Sequence, residues 1–136
     1  MRINVWISYN GFKKGAYSGI SFPYVALCPS SNKRAEFNSI SDIHDEIIRL
    51  YDKAELKGFK LGEAIYTQSF FFCDHALLVN EDYQDRIKEY TFCKKFNCPP
   101  YPSLQQTPAN IIDDFLTIED EFNNCLAKKE KENTNA

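Results

Sequence analysis

The run Cys98-Pro99-Pro100-Tyr101-Pro102 constrains this chain more than any other stretch. Three prolines in five residues remove backbone donors and fix φ, so no helix can pass through and an extended, polyproline-like connector is expected. It therefore separates two helices. Before it, Asn80 reads as an N-cap, Glu81, Asp82 and Asp85 lead, and Lys94 and Lys95 close, so a helix is predicted over 81–96. After it, Thr107 followed by Pro108 reads as a cap with a first-turn proline. Ile111, Phe115, Ile118, Phe122 and Cys125 then recur at intervals of 4, 3, 4 and 3, a narrow apolar stripe. Residues 128–136 carry no apolar side chain except the terminal Ala and read as a disordered polar tail.

The first half mixes two periods. Ile3, Val5, Ile7 and Tyr9 alternate with more polar neighbours, which predicts a strand over 2–9 with one buried face. Gly11, Gly15 and Gly19 punctuate a loop, and Ile20 to Leu27 reads as a second strand, placed at an edge or broken at Pro23. Cys28-Pro29-Ser30-Ser31-Asn32 is turn chemistry, and Arg34 to Asn38 is expected to return as a short strand. Ile43, Ile47, Leu50, Tyr51 and Ala54 follow helical spacing between Ser41 as N-cap and Gly58 past the end, giving a helix over 42–57. Glu63 to Val79, rich in aromatic and aliphatic residues, reads as strand, in two pieces or one with a bend near Asp74 and His75. The expected fold class is α+β: a mainly antiparallel sheet with about three helices packed on one face, in a single domain over residues 1–127.

A chain of 136 residues suits one domain with a real core. Its net charge of −3 excludes a polybasic nucleic-acid binder of the whole-surface kind. The charge is nevertheless uneven: residues 1–60 hold nine basic and six acidic groups, residues 61–136 seven and thirteen. No acid occurs before Glu36. No apolar run is long enough to cross a membrane, and the first ten residues lack the pattern of a signal peptide. With an odd count of five cysteines, free thiols in a reducing compartment are expected, which makes the protein cytoplasmic. A skew towards Phe, Tyr, Ile, Asn and Lys matches coding in a low-GC genome such as those of many phages and low-GC bacteria.

Four constellations carry possible chemistry. Cys73 and His75, placed on one face of a strand, could join Cys93 and Cys98 in a tetrahedral zinc site, although Cys-x-His and Cys-x4-Cys fit zinc knuckles poorly. The same Cys73 and His75 could pair as nucleophile and base, but parallel projection is poor geometry for proton transfer. His44, at the polar start of a helix, reads as a solvated residue. Lys13, Lys14, Tyr17 and Arg34, near Trp6, Tyr9, Phe12, Phe22 and Tyr24, could meet phosphate and stack a base, though the spacing matches no phosphate-loop motif. Asp113, Asp114, Glu119, Asp120 and Glu121 are expected to lie mostly outside the last apolar stripe, as an acidic ridge for a basic protein surface. That stripe could pack on the domain itself or form a homodimer seam.

The leading expectation is a small intracellular binding protein, an inhibitor of phage or mobile-element type that acts on a host protein without catalysis. A nucleotide or nucleic-acid binding module is the alternative, and a zinc-supported or cysteine-dependent enzyme a third. No cofactor is expected; zinc is the candidate should there be one. The expected partner is a protein, with nucleic acid as the alternative and no membrane.

Overall fold

A computed structural model describes residues 1–11, 13 and 15–134. The fold is α+β. Among the described residues it has five α-helices, one short 3-10 turn and two antiparallel strands. The mainly antiparallel sheet expected with three helices on one face is therefore reduced to a single hairpin, and helices dominate. The chain divides into two compact units: residues 1–9 with 79–136, and residues 10–78.

The discontinuous unit is built from three helices: α1 (Arg2–Asn10), α4 (Glu81–Phe96) and α5 (Ala109–Thr134). The segment expected as the first strand is thus helical. A strand would bury alternate residues, but Ile3, Asn4, Val5, Trp6 and Ile7 are all buried in succession. Arg2 and Trp6, one helical turn apart, both donate to Glu121. The core gathers Val5, Ile87, Tyr90 and Ile118, with Met1, Phe115 and Phe122 packed against them. Buried Asn4 is satisfied too: its Oδ1 accepts from the Asn80 backbone N–H at 2.9 Å and from Gln84 Nε2 at 3.1 Å.

Helix α4 has the bounds its caps predict. Asn80 Oδ1 accepts from the Tyr83 N–H, and Asn97 takes the left-handed conformation (φ 53°) beyond the last turn. At α5, Ile111 N–H and Ile112 N–H donate to the Pro108 carbonyl, so Pro108 stands at the cap and not inside the first turn. The Thr107 hydroxyl is spent on the Ser103 carbonyl. The stripe Ile111, Phe115, Ile118, Phe122 and Cys125 is buried or half-buried. Residues 128–134, expected as a disordered tail, continue α5 as far as Thr134.

The continuous unit carries β1 (Tyr24–Cys28), β2 (Lys33–Phe37), α2 (Ile40–Leu56), α3 (Leu61–Ser69) and a 3-10 turn (His75–Leu77). The strands pair from Tyr24↔Phe37 to Cys28↔Lys33, and the first begins only after Pro23, which has no backbone N–H to give to the ladder. Tyr24, Ala26 and Cys28 face inward while Val25 and Leu27 face out. Tyr24, Phe37 and Phe72 stack with ring centroids 5.5 and 5.7 Å apart. Helix α2 grips the hairpin loop: fully buried Glu46 accepts from the Ser30 N–H, the Ser30 hydroxyl and Arg49. Its N-cap is Ser39, not Ser41, and Asp42 reaches back to accept from the Asn38 N–H. Gly58 stands beyond the end with φ +69°, as its spacing predicts.

Glu63 to Val79 is not strand. Gly62, Ile65, Tyr66 and Ser69 are buried at helical spacing, with exposed Thr67 between them, and this makes α3. The pattern is masked in sequence by the aromatic run Phe70-Phe71-Phe72, which lies in the turn after the helix.

Candidate functional site

The three-helix unit carries an apolar groove beside its last helix. Because α4 ends at a left-handed Asn97 and three prolines follow, the connector runs outside the helices to α5. Pro99, Pro102 and Leu104 form one wall, and Ile112, Phe115 and Leu116 of α5 the other. The groove has a volume of about 560 Å³. Leu104 and Leu116 are 69% and 61% exposed, so two large aliphatic side chains border it without being covered. Glu119, one turn beyond Leu116, lines the same groove, and among the described residues it has no salt-bridge partner. The groove is therefore an apolar trough with one acidic group at its rim. Sequence reasoning identified Glu119 but missed the leucines. The Pro-rich connector was the available signal, since it must lie on something.

The acidic residues of α5 do not form one ridge. Glu121 is buried, 2% exposed, and accepts from Arg2 Nη1 and, at 2.7 Å, from Trp6 Nε1. Its carboxylate raises the Arg2 pKa and so holds that guanidinium in its charged form. Asp120 also pairs with Arg2, at 3.1 Å, and Asp114 with Arg86, at 3.4 Å. Of the five acidic residues predicted as a ridge, Asp113 and Glu119 present carboxylates outside the ion pairs seen among the described residues. Position in the stripe placed Glu121 outside; the buried indole N–H and guanidinium of α1 draw it in.

The four zinc candidates are divided between units, with Cys73 and His75 in one and Cys93 and Cys98 in the other. Among the described residues no three His, Cys, Asp or Glu side chains come together to hold a metal. Cys73 and His75 lie in the turn after α3, where Asp74 caps the 3-10 turn by accepting from the Ala76 N–H at 3.0 Å. The Ser69 hydroxyl donates to the Tyr66 carbonyl and stands 2.6 Å from His75 Nε2. The other ring nitrogen, Nδ1, is buried with no hydrogen-bond partner among the described residues. Burial lowers the His75 pKa. Burial, with Asp74 adding to it, pushes the Cys73 thiol up to about 12. Such a thiol stays protonated at neutral pH, and Ser69 is fully buried, so neither is an accessible nucleophile. His44 is exposed on α2, as expected of a solvated helix residue.

The basic aromatic segment is spread apart. Lys14 and Phe12 lie outside the described residues, and Lys13 is exposed in the loop. Tyr17 packs on Tyr24, 5.7 Å between centroids, against the inward face of the hairpin. Arg34 pairs with outward Leu27 on the opposite face, beside Glu36. Trp6 and Tyr9 belong to the helical unit, where Trp6 is buried and Tyr9 packs on Phe122.

No protein-family model matches this chain, and comparison with curated proteins and with solved structures gives no match.

Proposed function

We propose that this protein binds another protein by taking an apolar, lysine- or arginine-bearing segment into the groove between the Pro99–Leu104 connector and α5. The observation that carries this reading is the pair of uncovered leucines, Leu104 and Leu116, beside Glu119. The prolines preset the connector, so little ordering entropy opposes binding. An occupant basic at one end gains from Glu119, and the acidic balance of residues 61–136 favours its approach. Where the segment taken is one the partner itself uses, occupancy inhibits the partner. Among the described residues no helix is long and apolar enough to cross a membrane.

Selection of peptides from a random library on the folded protein tests it. Enriched peptides are expected to combine apolar residues with Lys or Arg, and to bind at least ~10-fold more weakly to Leu116→Asp and to Glu119→Lys, about 1.4 kcal/mol each. Failure to enrich any peptide, or binding that neither substitution moves, overturns the proposal.

A further inference from the structure

The junction of α4 with the proline connector brings two thiols together. Asn97 adopts the left-handed conformation, and both the Asn97 and Cys98 N–H groups turn back to the Cys93 carbonyl, the Cys98 bond being 3.1 Å. The bond from Cys98 back to Cys93 is that of a Schellman end, which sets the side chains of those two residues against each other. Burial, with the neighbouring Cys98 thiol adding to it, raises the Cys93 pKa. Both are half-buried, whereas Cys28, Cys73 and Cys125 are buried. The pair lines an open pocket of about 310 Å³ with Tyr90, Pro99, Pro100 and Phe115, so a small reagent can reach it.

We propose that Cys93 and Cys98 are a redox modification site, a dithiol that closes to a disulfide by exchange with a low-molecular-weight disulfide of the glutathione type. Cys98, past the helix end, is the attacking group. Cys93 sits in the last turn of α4, where the carbonyl end of the helix disfavours a thiolate. The Cys98 thiolate displaces one thiolate from the reagent and forms a mixed disulfide. The Cys93 thiolate then attacks the Cys98 sulfur and expels the second. The two leaving thiolates take up the two protons released, so one disulfide is reduced to two thiols as one is made in the protein. The product ties the end of α4 to the start of the connector that walls the groove. The site does not depend on what the groove binds.

Oxidised glutathione added to the full-length native protein tests this, with alkylation of the remaining thiols and intact-mass measurement. The expected product has lost two hydrogens, takes three alkyl groups once unfolded where the reduced chain takes five, and reverts with dithiothreitol. Trypsin cleaves after Lys94 and Lys95, so the disulfide should join the peptide ending at Lys94 to the one beginning at Phe96. Cys93→Ser should stop at a single stable glutathione adduct, and Cys98→Ser, without the attacking thiol, should take up glutathione more slowly. Stable double adducts on the unsubstituted chain, five alkyl groups after oxidation, or a Cys93–Cys98 link joining two chains would each overturn the proposal.

Discussion

His75 shows how a single residue's surroundings decide its chemistry. In sequence it is a histidine between an aspartate and an apolar run, compatible with ligand, base or core. In the structure it is 2% exposed, lies 4.0 Å from the Phe70 ring centroid and is hydrogen-bonded to Ser69. Burial lowers its pKa, with Asp74 only partly opposing. Below the ordinary imidazole value of about 6.5 the unfolded chain binds a proton that the folded chain resists. Stability from this group is therefore present at neutral pH and is lost as pH falls below about 6.5. Urea-unfolding midpoints measured between about pH 7.5 and 5.5 should decline, and His75→Gln should flatten that decline. An equal slope in the variant would show that other groups carry it. Nothing in the sequence neighbourhood reveals this outcome, because Ser69 becomes a partner only once α3 is a helix.

At the scale of elements, legibility followed local signals. Helix α4 was readable to the residue because its stop and start are chemical: an Asn that caps, acids first, lysines last, then a left-handed Asn and prolines. Asn80→Ala should cost about 1 kcal/mol, since it leaves the Tyr83 N–H without its side-chain acceptor; thermal or urea unfolding measures it. The same substitution leaves the Asn80 N–H bond to Asn4 intact. Helix α2 and the β1–β2 hairpin were nearly as legible, since turn residues and periodicity agree there. Helices α1 and α3 were misread as strands for opposite reasons. In α1 the polar members of an apparent alternation, Asn4 and Trp6, are buried by partners distant in sequence. In α3 the apolar residues are diluted by Gly62 and Ser69, small enough to be buried without marking a stripe.

At the scale of the molecule, one carboxylate closes the discontinuous unit. Glu121 near the end of the chain receives Arg2 and Trp6 from its start, and Lys128 lies 5.6 Å from the Trp6 ring. Glu121→Ala would remove the acceptor 2.7 Å from the buried indole N–H and leave Arg2 its pair with exposed Asp120. The expected loss is about 3 kcal/mol, read as an earlier unfolding transition in Trp6 fluorescence, the chain's single tryptophan. A shift under about 1 kcal/mol would show that the carboxylate is not what holds α1 in place. The sequence by itself determined the α+β class, the caps of α4, the hairpin and the forced connector, because those follow from backbone restrictions and spacing within a few residues. Only the tertiary structure decided that α1 and α3 are helices, that Glu121 turns inward and that a groove opens between connector and α5. Those depend on burial and on partners up to 119 residues away, and no local pattern encodes such partners.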